Sequence, residues 1–186
     1  MSLQALAAAA IRYSDNAAMN LILREIGGLP AVNRFARSIG DQAFRQDNDW
    51  PAEAGSGGAG NVFDSTTPEA MVTSMHTILF GDRLPKEQRD LLHRWLQQNT
   101  TGDKRIRAVV PKDWRVGDKT GTGGKYGTTN DIAVLYPPGR DPLLMVVFYT
   151  HNRPEAVKRD DIVQKVAKIS LQWALPETRP EVVKGY

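Results

Sequence analysis

The chain has 186 residues, 41% of them hydrophobic and 24% charged, a size and balance that suit one folded domain with a sizeable core and exclude a disordered tail or a fibrous repeat. Cysteine is absent, which removes disulfide frameworks, Cys-based zinc sites and a thiol nucleophile together. The net charge of +3 comes from Lys and Arg interleaved with Asp and Glu, a pattern that argues against nucleic-acid binding.

No apolar run reaches the roughly 18 residues that a membrane span needs, so no membrane partner is expected. The opening Met1-Ser2-Leu3 lacks the basic region and cleavage site of a secretory signal, so the expectation is either a cytosolic protein or a numbering that begins after a removed piece.

The segment from Leu3 to Ile11 is Ala-rich and apolar on nearly every side, which predicts a buried, uncapped helix and suggests a missing upstream portion. Asp15 or Asn16 can cap a second helix through Leu21 and Ile26, stopped by Gly27-Gly28; a third runs from about Pro30 to Ile39. From Asp41 to Asp64 periodicity disappears, and Gly55 to Gly60 reads as a flexible loop. Thr67-Pro68 starts a helix with Met71, Met75, Ile78 and Leu79 at helical spacing, and Pro85 opens another with Leu91, Leu92, Trp95 and Leu96.

After Asp113 the texture changes to strands. Trp114 to Thr120 is short and extended, Asn130 to Tyr136 alternates, and Leu143 to Tyr149 is nearly continuous in apolar residues. Pro137 to Asp141 joins the last two as a hairpin. A final helix from about Arg159 to Leu175 presents Ile162, Val166, Ile169 and Trp173 as the face to lie on the sheet, and Pro176 to Tyr186 is a polar tail. Helices first, then three antiparallel strands closed by a helix, make an α+β fold. The expected division is a mainly helical part over 1–112, with a loop at 41–64, a sheet-and-helix part over 113–175, and the tail at 176–186.

Two tripeptides carry chemistry. Ser14-Asp15-Asn16 lies between helices and puts a hydroxyl and an amide on a rigid turn; taken alone it reads as a helix cap. Lys119-Thr120-Gly121 ends the first strand with an ammonium, a hydroxyl and a backbone free of bulk, a set suited to a substrate carboxylate. Alone, it is a common turn sequence. Their order and their helix-turn and strand contexts make the pair specific, since both belong to the signature of class A β-lactamases and penicillin-binding proteins.

The chain resembles class A β-lactamases over about residues 3 to 175, well beyond the two tripeptides. Asp64-Ser65-Thr66-Thr67-Pro68 is similar to the end of that family's omega loop. Asn99 to Asp103, Val116 to Gly123 and Tyr126 to Val134 are similar to further family segments. The resemblance implies a β-lactam as small-molecule partner and ring opening through a serine acyl-enzyme. It implies that Ser14 relays a proton to the lactam nitrogen and that Asn16 holds the substrate's side-chain amide. Lys119 would place Ser14 and supply positive potential. Thr120 and Thr122 would bind the carboxylate beside Gly121, and the Thr122 N–H would form half of the oxyanion hole. Arg107 matches an arginine that assists carboxylate binding in some members, although a solvated surface arginine explains it equally. Arg159 is a weaker candidate for the same duty, because a helix-start charge pair accounts for it as well. Residence in the periplasm or outside the cell is implied by the same resemblance.

The resemblance has gaps. No Ser-x-x-Lys occurs in these residues, and the runs Thr101 to Lys104 and Thr122 to Lys125 lie inside other matched segments. Trp50 stands where the family has its catalytic glutamate, and an indole can neither accept a proton nor orient a deacylating water. Asp49 and Glu53 are the nearby carboxylates. Asn48 replaces the arginine that pairs with the aspartate matched by Asp64, so an ion pair pinning the loop is lost and a mobile or rebuilt loop is expected. The family's first two strands are not matched, which leaves three strands with an open edge and one bare apolar face. The expectation is therefore a family member impaired in catalysis, against a non-catalytic binding module, a self-associating dimer or strand-swapped assembly, or a D,D-peptidase-like protein. No metal or organic cofactor is expected, since His76, His93 and His151 are widely dispersed.

Overall fold

The computed structural model describes residues 1–49 and 60–175. Trp50, Glu53 and most of the Gly-rich run lie outside them, as does the tail beyond Leu175. The elements are α1 (Leu3–Arg12), α2 (Asn16–Ile26), α3 (Gly28–Ser38), α4 (Pro68–Leu79), α5 (Lys86–Gln97), a 3-10 turn (Ile106–Val109), β1 (Arg115–Thr122), β2 (Thr129–Tyr136), β3 (Leu143–Tyr149) and α6 (Asp160–Ala174).

The local signals act as expected at several boundaries. The Asp15 carboxylate accepts the Ala18 N–H at 2.9 Å and caps α2, and the Thr67 hydroxyl accepts the Ala70 N–H at 3.1 Å ahead of Pro68. Gly27 ends α2 in the left-handed conformation at φ 97°, which a glycine adopts without steric cost.

The sheet runs β1-β2-β3, antiparallel throughout, with Lys119 opposite Ile132 and Ile132 opposite Val146. Helices α4 and α5 pack on one face, where Met75, Leu79, Leu96 and Val134 form a core cluster. On the other face α6 and the 3-10 turn enclose Ile106, Val116, Ala133, Leu135 and Val147. Strand β2 is buried from both sides, and the sheet has no bare apolar face of the kind expected. The open edge does appear: among the described residues β3 has no strand partner on its outer side.

Two further expectations are corrected. Helix α1 is neither uncapped nor buried all round. The Ser2 hydroxyl accepts the Ala5 N–H at 3.2 Å, only Ala10 is buried, and Leu3 is half exposed. Its alanines give it an apolar count without the bulk to form a core of their own. Helix α6 is turned by one position from the face anticipated: Val163, Ala167 and Leu171 are buried, whereas Ile169 and Trp173 are 66% and 77% exposed. Small Ala167 lets the helix approach the sheet closely, and the bulkier stripe is left on the outside.

Candidate functional site

The turn between α1 and α2 holds Ser14 at φ 55°, a left-handed conformation disfavoured for a residue with a side chain. Capping by Asp15 fixes Asn16 as the first residue of α2. Across the molecule, the edge strand β1 brings Lys119 to this turn, where its Nζ donates to Ser14 Oγ at 2.8 Å and to the Thr120 carbonyl at 2.7 Å. Since Ser14 Oγ accepts from the ammonium, its own proton is free to be given elsewhere. Burial lowers the pKa of Lys119, with the charges of Asp118 and Asp131 acting in the opposite direction.

Alternation along β1 puts Thr120 and Thr122 on the opposite face from Lys119, together with Asp118. Their hydroxyl protons are committed differently. Asn99 Nδ2 donates to Asp118 Oδ2 at 2.6 Å, which turns Asn99 Oδ1 toward Thr101, and Thr101 Oγ1 donates to it at 2.8 Å. The 2.6 Å contact between Thr101 and Thr120 hydroxyls must then use the proton of Thr120. Thr122 Oγ1 instead accepts from the Arg105 guanidinium at 2.6 Å, so its proton remains available.

Arg105 is the arginine at the site. It is 4% exposed, donates to the carbonyls of Gly121 and Asn130, and pairs with Asp160 at 2.8 Å. Arg107 is not brought to the cleft, and it is not a free surface arginine either. Its guanidinium turns inward onto the fully buried Asp118, donating through Nε at 3.0 Å. Ile106 lies between the two arginines, and its N–H donates to Asp131 Oδ2 at 3.0 Å, which anchors the turn that sends them in different directions. Arg159 forms two 2.7 Å hydrogen bonds with Asp161 at the start of α6, away from the site.

Beneath these groups lie two buried carboxyls on one face of the sheet. Burial raises Asp118 despite Arg107 and Asn99. Burial together with the charge of Asp118 pushes Asp131 up to about 7. Asp131 Oδ1 is buried without a hydrogen-bond partner among the described residues, a position that a neutral carboxyl tolerates better than a carboxylate.

Between α2, the loop after α3 and the end of β1 lies a cleft of about 550 Å³. Asn16 and Met19 line one wall, Asn48, Asp49 and Asp64 a second, and Gly121 to Gly124 with Asn130 a third. The described part of the loop is pinned; of the two expected outcomes, mobile or rebuilt, these residues fit the second, and the Gly-rich part lies outside the described residues but for Gly60. Asp64, at φ 48°, accepts the N–H groups of Asp47 and Asn48 at 2.7 and 2.9 Å and the Asn48 side-chain amide at 2.7 Å. Asn48 thus ties the loop to Asp64 by hydrogen bonds. Asn33 holds Gln46 from α3, and Arg45 N–H donates to the Ser65 carbonyl. Asp41 braces the same loop. Burial would raise its pKa, but hydrogen bonds from Phe44, Ser74 and Ala43 outweigh that and hold it low.

This constellation matches known proteins. Residues 1–174 fit the model of the beta-lactamase enzyme family. The chain belongs to that family. The β-lactamase of Streptomyces lavendulae is 48% identical over 91% of this chain and 55% of its own length, and the imipenem-hydrolyzing β-lactamase of Enterobacter cloacae is 45% identical over 92% and 59%. The crystal structure of a β-lactamase from Desulfarculus baarsii superposes with a TM-score of 0.90 at 44% identity, covering 94% of this chain and 65% of that one. The chain therefore spans little more than half the length of the curated relatives it matches.

Among the described residues, no group of three or more His, Asp or Glu side chains is placed to hold a metal ion, and no helix is long and apolar enough to cross a membrane. The sequence did not single out Asn99, Arg105, Asp118 or Asp131, and it marked Thr101 only as the start of a Thr-x-x-Lys run. Their one signal was position: all lie within or beside the segments that resemble the family, and only pairing across the sheet reveals that they face one another.

Proposed function

We infer that the cleft binds β-lactams, with their carboxylate at the Lys119 and Thr122 end. The observation that carries this reading is the 2.8 Å contact from Lys119 to Ser14, beside a Thr122 hydroxyl that accepts from Arg105 and keeps its proton. An ammonium, an available hydroxyl and the Thr122 N–H can receive the carboxylate and the carbonyl oxygen, while the Ser14 proton serves the lactam nitrogen. Asn16, on the opposite wall, serves the substrate's side-chain amide, and Thr120 supports the wall through Thr101.

These 186 residues bind without efficient turnover. They contain no Ser-x-x-Lys nucleophile, and Trp50 stands at the glutamate position, so neither acylation nor deacylation has its family group. Nitrocefin hydrolysis and binding of a fluorescent penicillin test this directly. Reversible binding with hydrolysis at the buffer rate is expected; turnover above buffer, or the lack of any binding, refutes it. By the same family reading, the protein acts in the periplasm or outside the cell.

Self-association through β3 is a second reading favoured by a specific observation. Among the described residues the outer edge of β3 is open, and Leu143–Tyr149 carries none of the charged or proline residues that guard such edges. Trp173 and Ile169 of α6 are exposed as well. Sedimentation that returns a monomer at all concentrations refutes this reading.

A further inference from the structure

We propose that Asp49 makes the cleft selective for zwitterionic β-lactams, those carrying an ammonium group beside the side-chain amide. The inference rests on the reading of the cleft as a β-lactam site and adds the class of substrate. Among the described residues, three ionisable side chains line the cleft: Arg45, Asp49 and Asp64. Arg45 is engaged by Asp47, with two contacts to one carboxylate at 2.6 and 2.9 Å, and its guanidinium lies over the Phe63 ring. Asp64 accepts three hydrogen bonds from Asp47 and Asn48. Asp49 is exposed and has no hydrogen-bond or ion-pair partner among the described residues.

The described part of the loop wall therefore turns two carboxylates toward the cleft: Asp64, which keeps its charge but spends its oxygens on the loop's own amides, and Asp49, whose oxygens have no partner among the described residues. The opposite wall is different. Gly121, Thr122 and Asn130 present backbone and hydroxyl groups, backed by the Lys119 ammonium and by Arg105, which is itself paired with Asp160. A ligand whose carboxylate is drawn to Lys119 extends its acyl side chain past Asn16 toward the loop. There a cationic substituent meets Asp49, and an anionic or neutral one gains nothing. A cleft of about 550 Å³ admits a ligand of penicillin size in that direction. Because the site is open to water, the attraction amounts to a selectivity of about fivefold and is screened by salt.

Titration calorimetry on the full chain with benzylpenicillin and its α-amino derivative tests this at about pH 6, where an α-amino group is protonated. The amino compound is expected to bind about fivefold more tightly at low salt. Asp49→Asn should make the two ligands equal, and Asp49→Lys should invert their order. Equal binding by the unmodified protein, or a preference that survives Asp49→Asn, overturns the proposal and leaves the β-lactam site standing. Failure of both ligands to bind overturns the site and the proposal together.

Discussion

Lys119 on β1 and Ser14 on the α1–α2 turn, 105 positions apart in sequence, meet at 2.8 Å, and the strained turn and the partly buried ammonium hold each other in place. Lys119→Met keeps the stem and removes the charge and its donors. Affinity for a carboxylate-bearing β-lactam should fall by about tenfold or more, read by calorimetry, because a charged hydrogen-bond partner is lost. The fold should persist, since even partial burial of an ammonium is costly and an apolar replacement of similar length offsets the lost contacts. Unchanged affinity would show that the carboxylate binds elsewhere.

Thr120 and Thr122 are both hydroxyls of the same strand, but their protons differ in availability. Thr122→Val should weaken carboxylate binding by about tenfold, whereas Thr120→Val, whose proton is given to Thr101, should change it less than about twofold. Equal losses in the two variants would contradict the proton assignment.

Asp131 links stability to pH. Its carboxyl is raised from 3.8 to about 7, so between those values the folded state holds a proton that the unfolded state has released. Stability from this group is complete below about pH 4 and is lost as pH rises toward 7. Subtracting the urea-unfolding profile of Asp131→Asn from that of the parent should leave a difference that declines across this window. A flat or rising difference would mean that Asp131 is ionised in the fold. Asp161, lowered to about 2 by Arg159, has the opposite sign, and its contribution is lost only as pH falls below about 4.

Gly102 admits no side chain. A Cβ there would lie 1.7 Å from Asp118 Oδ2, so the carboxylate that holds Asn99 and Arg107 would have to move. Gly102→Ala should cost about 2–4 kcal/mol and lower Tm by roughly 5–15 °C in thermal unfolding, through overpacking and a broken buried pair. Retention of the parent Tm would show that Asp118 can relocate at little cost.

The elements were legible in sequence where a few neighbouring residues decide them. Asp15, Thr67-Pro68 and Gly27 set helix ends by satisfying or freeing backbone groups within one turn. Alternation in Thr129–Tyr136 and the apolar run in Leu143–Tyr149 reveal strands because their side-chain period is fixed by the backbone. Ser14-Asp15-Asn16 and Lys119-Thr120-Gly121 were readable for the same reason, as short runs of fixed chemistry.

Only the tertiary structure decided which of two apolar stripes α6 buries, because Ile162, Val166, Ile169 and Trp173 satisfy helical spacing as well as Val163, Ala167 and Leu171 do. It also decided that Arg105 rather than Arg107 serves Thr122. The two arginines are equivalent as sequence, and the choice between them is made by Asp131 holding the Ile106 N–H and by Asp118 taking the other guanidinium. Sequence determined what each segment could form and which groups it could offer. The fold determined where those groups were spent, since a buried charge or hydroxyl is fixed by partners that lie far along the chain.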